Sequence, residues 1–312
     1  MSPSLRHRIN NLAQSALIFA GMIAIVWLVV GLIAGPGLTL LVMIGIVLGL
    51  LAAPTVPRRY LLSAYDARPL GPHDFPAGVA TLAELARRAG LPRRPSLWYV
   101  PSRLPNAFAM GRPDDSAICI TDGLLRLLDG RELAGVLAHE VAHVANRDLW
   151  IMALADGMSR VVSLASWIGQ GILLINLLLF LIGAEVVPWT IPLVLIFAPT
   201  LMALLQLALS RSREFDADLG AARLTGDPEG LAGALRKLER RRGRFWEEIF
   251  LPGRRIPEPS LLRTHPPSEE RIARLRALAA PAPQHRLPQR SSGLPAFPLP
   301  PPPRFRRGSF FF

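Results

Sequence analysis

The sequence predicts a mainly α-helical integral membrane protein whose polar part carries a small antiparallel sheet. Hydrophobic residues make up 51% of the 312 residues and charged residues only 19%, a balance that is unusual for a soluble protein. Long stretches without any charge alternate with arginine-rich segments, which is typical of a chain that crosses a bilayer several times. This composition excludes a purely disordered chain, and the single cysteine, Cys119, excludes an internal disulfide framework.

The charge of the chain favours an anionic membrane surface as its partner. The formal net charge is +12, and of the 35 basic residues only Lys237 is a lysine. A basic excess suggests either nucleic acid or anionic lipid. Here the long apolar segments favour the membrane, and the sequence has no glycine-rich phosphate loop and no basic strand interleaved with aromatic residues, so we expect a lipid bilayer and no nucleic acid.

The first 57 residues are predicted to form an N-terminal transmembrane hairpin. They contain no charge after Arg8, and a Gly-Pro-Gly turn at Gly35 divides the apolar run into spans of about residues 12–34 and 38–53. At 1.5 Å per residue the first span would reach about 34 Å, against about 30 Å for the hydrocarbon core. A cleaved signal peptide is the alternative, but the run is too long and a second one follows directly.

A second transmembrane hairpin is predicted over residues 161–210. Its spans cover about residues 161–184 and 189–210, and Glu185 lies between them. The alternative is a soluble, fully buried hairpin, but two uncharged runs of this length favour the membrane.

Arginines flank every predicted span on the side that both termini share, and the two outer turns contain neither lysine nor arginine. The positive-inside rule therefore predicts that both termini and residues 58–160 are cytoplasmic and that both hairpin tips lie outside. We expect a multi-pass protein of the cell (inner) membrane.

The polar part is divided by the second hairpin into residues 58–160 and residues 211–280. The first segment is predicted to hold, in order, a helix at 81–90, strands at 96–100, 106–110 and 116–120, and a helix from a capping box at Asp129 to about Trp150. In the second segment the last span is expected to continue as a helix to Gly226, before another helix at 229–242. Residues 281–312 are rich in proline and arginine and predict a disordered tail.

The helix after the capping box contains His139-Glu140-Val141-Ala142-His143. A spacing of four residues places both imidazoles on one helix face, where they can bind one metal ion. Zinc prefers imidazole nitrogen and carboxylate oxygen in an open site, and it lowers the pKa of a bound water to about 7. The alternative is a pair of surface histidines with ordinary hydrogen bonds.

A third metal ligand is expected from the helix that follows the last span. Glu214 is the predicted ligand. Asp218, one turn later on the same face, can accept a hydrogen bond from a ligand histidine and so fix its tautomer. The alternative is that these acids only form ion pairs with Arg211 and Arg213.

Together these features resemble the HtpX-type membrane zinc metalloproteases, the group that also includes the CAAX prenyl endopeptidases. The resemblance covers nearly all of residues 6–278. The motifs that carry it are the His139–His143 motif with Asn146-Arg147-Asp148, Pro105-Asn106-Ala107-Phe108, Thr121-Asp122-Gly123-Leu124-Leu125, Ser210 to Asp218, and Thr264-His265-Pro266-Pro267 with Arg271. The resemblance implies a cytoplasmic, zincin-like α+β catalytic domain. It also implies one Zn²⁺ per chain, held by His139, His143 and Glu214, with Glu140 as the general base.

The resemblance suggests further site residues. Asn106 would lie on an edge strand that pairs with the substrate backbone. His265 and Arg271 would face the metal and stabilise the oxyanion of the transition state. Asn106 and His265 are alternatively turn residues beside prolines, and Asp148 either supports the catalytic helix or caps its end.

The expected function is that of a membrane-bound zinc endopeptidase that cleaves misfolded or membrane-associated proteins in quality control, a substrate class that comes from the resemblance alone. Glu140 would remove a proton from the zinc-bound water and pass it to the leaving amine, without an acyl-enzyme. One alternative is a CAAX-type prenyl protein endopeptidase, although four spans are few for its helical chamber. The other is a non-catalytic membrane scaffold with a structural zinc, although such sites usually have four protein ligands.

Overall fold

The computed structural model describes residues 3–52, 58–184, 187–249 and 268–278. Most of these residues are helical, in agreement with the predicted fold class. The helices are α1 (Pro3–Ala52), α2 (Arg58–Ala64), α3 (Pro76–Arg88), α4 (Asp122–Leu127), α5 (Gly130–Asn146), α6 (Asp148–Leu181), α7 (Thr190–Thr225), α8 (Pro228–Ile249) and α9 (Ser268–Leu278). The strands are β1 (Arg68–Pro69), β2 (Ser96–Val100), β3 (Ala107–Arg112) and β4 (Asp115–Thr121).

Within the described residues, three helices are long and apolar enough to cross a bilayer. They are Ala13–Gly35 in α1, the whole of α6 and the whole of α7, which correspond to the first, third and fourth predicted spans. Helical geometry breaks at Gly35, with φ 69° and ψ 171°, as the predicted turn requires. The predicted second span, residues 38–53, is not among the three and stays a prediction, while Glu185 and the tail at 281–312 lie outside the described residues.

The three apolar helices pack on one another through a shared cluster of buried side chains. Met22 and Val29 of α1, Val162 of α6 and Met202 of α7 belong to it. Small residues allow close contact: a Cβ added at Gly169 of α6 would lie 2.6 Å from the Leu195 side chain of α7. The outer faces expose large apolar side chains, as expected of helices that face lipid.

Helix α5 begins with the predicted capping box. The Asp129 carboxylate accepts from the Glu132 backbone N–H at 2.9 Å, and the Glu132 carboxylate accepts from the Asp129 N–H at 3.0 Å. The predicted end near Trp150 was wrong, because α5 stops at Asn146. Arg147 adopts a left-handed conformation (φ 59°, ψ 29°), which ends α5 and separates it from α6.

The sheet is mixed, so the predicted antiparallel arrangement was wrong for one pair of strands. The strand order is β1-β2-β4-β3, with β2 and β4 parallel and the other two pairs antiparallel. The reason is that β3 and β4 form a hairpin in which β4, rather than β3, returns beside β2. Side-chain alternation cannot reveal this choice, since it marks a strand's faces but not its neighbour. As a result, β3 is an edge strand.

The core of the polar part surrounds α5. Leu137 and Val141 of α5 pack with Ile118 of β4, Leu231 of α8 and Leu275 of α9 in one buried cluster. Two glycines allow neighbouring helices to approach α5 closely. A Cβ added at Gly135 of α5 would lie 2.7 Å from the backbone N of Leu231 in α8, and a Cβ added at Gly220 of α7 would lie 2.8 Å from the Cβ of Ala142 in α5. Helix α7 runs unbroken from the apolar segment to Thr225 and ends at Gly226, as predicted.

Candidate active site

Helices α5 and α7 bring the three predicted metal ligands together. One donor atom each of His139, His143 and Glu214 lies within 4.8 Å of the others. The Nε2 atoms of the two histidines are 3.0 Å apart. The Glu214 carboxylate lies 3.4 Å from His139 Nε2 and 3.6 Å from His143 Nε2. Two imidazole nitrogens and one carboxylate oxygen therefore converge on one point, the donor set of a catalytic zinc site.

Each imidazole has a carboxylate at its other ring nitrogen. His143 Nδ1 donates a hydrogen bond to the Asp148 carboxylate at 2.8 Å. His139 Nδ1 lies 3.1 Å from Asp218 Oδ1. Because a carboxylate only accepts, the hydrogen bond to Asp148 places the proton of His143 on Nδ1 and leaves its Nε2 lone pair free for a metal, and the nearby Asp218 carboxylate favours the same tautomer of His139. The surroundings of both rings thus fit a bound cation.

The electrostatics of the site also favour positive charge. Burial alone would lower the pKa of His139, but the neighbouring carboxylates of Asp218 and Glu214 outweigh burial and raise it to about 10. The same carboxylates would stabilise a metal cation bound to the imidazoles.

Arg271 reaches the site from α9. Its Nε and Nη2 donate to both oxygens of Asp218 at 2.7 and 2.6 Å, and its Nη1 lies 3.0 Å from Glu214 Oε2. Burial would lower the pKa of Arg271, but contact with Asp218 and then Glu214 raises it, so the guanidinium stays charged. Arg271 was predicted to face the site, and it lies beside the third ligand, although its pairing with Asp218 was not expected.

Glu140 and the edge strand form one wall of a cleft over the site. Glu140 lines it with Ala107, Phe108 and Ala109 of β3. Asn106 directly precedes β3, and its backbone is fixed by Thr121, whose Oγ1 accepts from Asn106 N at 2.8 Å. The proposed roles of Glu140 and Asn106 stay predictions, and His265 lies outside the described residues.

Residues of the two apolar helices also line the cleft. They are Leu149 and Met152 of α6 and Ser210 and Arg213 of α7. The sequence left the role of Asp148 open, and the structure places its side chain against a predicted ligand. The sequence named Arg213 only as a possible ion-pair partner of the acids on its own helix, and it does pair with Asp216 at 2.9 Å.

The single cysteine is unsuited to act as a nucleophile. Cys119 is fully buried in β4, opposite Phe108 of β3. Burial, and to a smaller extent Glu140, raises the pKa of its thiol to about 12. The thiol therefore stays neutral, which leaves the histidine and glutamate cluster as the reactive centre of this cleft.

The two histidines on one helix, the glutamate on a second helix and the edge strand of the described sheet match the site of a metallopeptidase. Peptidase family M48 matches residues 75–279 of the chain, which belongs to this family. Membership implies a metal, and His139, His143 and Glu214 form a group that can hold one.

The chain is similar to several proteins named protease HtpX homolog. The relative from Kineococcus radiotolerans is 38% identical over 88% of this chain and 98% of its own length. Those from Thermococcus kodakarensis and Acaryochloris marina are 39% and 40% identical, over 71% and 69% of this chain and 80% and 76% of their own lengths. The predicted resemblance to HtpX-type proteases is confirmed.

A solved structure is also similar. The crystal structure of S. mikatae Ste24p aligns with a TM-score of 0.47 and 18% identity. The alignment covers 86% of this chain and 66% of that one.

Proposed function

We propose that the protein is a zinc-dependent endopeptidase that hydrolyses misfolded or membrane-associated proteins at the cytoplasmic face of a cell membrane. The observation that carries this proposal is the convergence of His139, His143 and Glu214 beside Glu140 and an open sheet edge. When bound, zinc would supply Lewis-acid polarisation of the scissile carbonyl and would acidify a water molecule.

The residues around this point have complementary tasks in the proposed reaction. An extended substrate adds to the free edge of β3, so that its scissile carbonyl lies over the ligands. Glu140 accepts the proton of the attacking water and delivers it to the leaving amine. The Arg271 guanidinium, paired with Asp218 and Glu214, supplies positive charge beside the third ligand, and His265 stabilises the oxygen on which negative charge develops.

The position of the cleft supports a membrane-associated substrate. Met152 of α6 and Ser210 of α7 line the cleft, and both helices are long and apolar enough to cross a bilayer. Substrate segments that emerge from the bilayer would therefore lie close to the predicted metal ligands, whereas segments of a soluble domain far from the membrane would not.

Cleavage assays on the full-length protein in detergent test this proposal. We expect it to degrade casein and an unfolded membrane protein, to lose this activity when a chelator removes the metal, and to regain it with zinc. A strong preference for a prenylated C-terminal peptide over its unprenylated counterpart would instead support the CAAX-type alternative. Stoichiometric zinc without any cleavage would support the scaffold.

A further inference from the structure

Arg213 is a buried arginine for which the proposed chemistry has no task. Its side chain is only 10% exposed, although it directly precedes Glu214 and lines the cleft. Its Nη2 donates to the hydroxyl of Ser15 in α1 and lies 2.9 Å from Asp216 Oδ2. Its Nη1 lies 3.7 Å from Asp148 Oδ1. One guanidinium therefore contacts α1, α6 and its own helix.

The two oxygens of Asp148 face different partners. Oδ2 accepts the hydrogen bond from His143 Nδ1, whereas Oδ1 faces Arg213. A line of polar contacts thus runs from Ser15 in α1 to the imidazole of His143, with hydrogen bonds at both ends and the 3.7 Å ion pair between Arg213 and Asp148 as its middle link. All four side chains come from different helices.

We propose that Arg213 is a positioning residue for the metal site. It holds the Asp148 carboxylate against His143, and through Ser15 it ties this arrangement to the first membrane helix. The inference rests on the proposed zinc site and extends it, because it makes the packing of α1 a determinant of metal affinity.

Charge balance argues against a substrate-binding role for Arg213. Its positive charge is already offset by Asp148 and Asp216, both within 4 Å, so a substrate carboxylate would have to displace one of them. Removing the guanidinium would leave Asp148 as a buried charge without its cationic partner. The carboxylate would then turn or shift toward other donors, and its hydrogen bond to His143 would weaken.

The consequence for the metal follows from the role of such carboxylates. A carboxylate at the far nitrogen of a ligand histidine fixes the ring and raises its basicity, and losing such a contact typically costs 10- to 100-fold in metal affinity or activity. Arg213 contacts the carboxylate and not the histidine itself. We therefore expect its removal to weaken zinc binding by about 10-fold, the lower end of this range. A lysine lacks the planar fork that reaches Ser15, Asp148 and Asp216 together, so Arg213→Lys should restore only part of the loss.

The zinc dissociation constant of the full-length protein in detergent, measured by competition with a chromophoric chelator, tests the inference. Arg213→Met should raise it about 10-fold. The matched control is Arg211→Met, because Arg211 lies on the same helix but is half exposed. It forms a long ion pair of 3.6 Å with Glu270. We expect this control to stay within about twofold of wild type. Ser15→Ala should raise the constant about threefold, whereas Ser163→Ala at an exposed site of α6 should not change it.

A double-mutant cycle separates positioning from general packing. If Arg213 acts through Asp148, then Arg213→Met should change zinc affinity little in an Asp148→Asn background. An equal loss in both backgrounds, or wild-type affinity in Arg213→Met, would overturn the inference. If Arg213→Met does not fold, as judged by thermal unfolding and size exclusion, Arg213→Lys and Ser15→Ala carry the same test. Failure of the wild-type protein to bind zinc would contradict the proposed function instead.

Discussion

Glu140 and Glu214 have the same side chain but different positions relative to the imidazoles. Both line the cleft, but Glu140 is next to His139 on α5, whereas Glu214 comes from α7 and lies 3.4 Å from His139 Nε2 and 3.6 Å from His143 Nε2. The proposed roles follow from this difference: Glu140 would act on a water or substrate in the cleft, and Glu214 on a metal. Substitutions at the two positions should have different consequences.

Replacing Glu140 by Gln keeps the size of the side chain but removes the proton acceptor. We expect near-stoichiometric zinc, unchanged unfolding and almost no peptide cleavage.

Glu214→Ala should instead release the metal, because two imidazoles on one helix do not complete a tight site, and added zinc should partly restore only this variant. Metal analysis beside a cleavage assay checks both. Wild-type zinc in Glu214→Ala, or cleavage by Glu140→Gln above about a tenth of the normal rate, would refute the respective assignment.

His265 is predicted to act on the transition state and not on metal binding. His265→Ala should therefore lower kcat by about 100-fold while zinc content stays near that of wild type. Steady-state kinetics and metal analysis on the same preparation measure the two effects. Loss of zinc in this variant would make His265 a ligand and would contradict the assignment of Glu214.

At the scale of elements, the distance between α5 and α7 decides whether the ligands converge. Gly220 of α7 faces Ala142, the residue before His143, and an added Cβ would lie 2.8 Å from the Ala142 Cβ. This close approach keeps Glu214, on the same helix as Gly220, near both imidazoles. The pair of helices is therefore sensitive to a single methyl group.

Gly220→Ala should push α7 away from α5 and so separate Glu214 from the histidines. We expect weaker zinc binding and a loss of about 1–3 kcal/mol in the free energy of unfolding, which is typical of overpacking. Chelator competition and thermal unfolding measure the two. Gly171→Ala in α6 is the matched control, since an added Cβ there meets nothing within 4 Å. Equal zinc affinity in the two variants would show that the spacing tolerates the methyl group.

At the scale of the whole molecule, the arginines at the ends of the predicted spans determine the expected orientation. Reporter fusions after Ala53 and at the C-terminus should both report the cytoplasm, and a fusion near Glu185 should report the outside. A cytoplasmic signal at all three positions would mean that the second hairpin does not cross. In that case α6 and α7 would lie in or on the membrane without spanning it.

Features that depend on neighbouring positions in the chain could be predicted from the sequence. The capping box at Asp129, the shared helix face of His139 and His143, and the end of α7 at Gly226 follow from local spacing, and the structure has all three. The charge-free runs likewise predicted the helices that are apolar enough to cross a bilayer. In each case a short stretch of sequence contains the whole physical cause.

Contacts between distant segments were decided only by the tertiary structure. The bidentate pair of Arg271 with Asp218 and the contact of Arg213 with Ser15 join residues far apart in the chain, and no spacing rule connects them. The parallel pairing of β2 with β4 was also hidden, because alternation marks the buried face of a strand but not its partner. The sequence by itself therefore determined which side chains could bind a metal and which helices could enter a membrane. The packing of α7 against α5, and of α1 and α9 against α7, decided which charged groups surround the site, because buried charges are paired only where the folded chain brings opposite charges together.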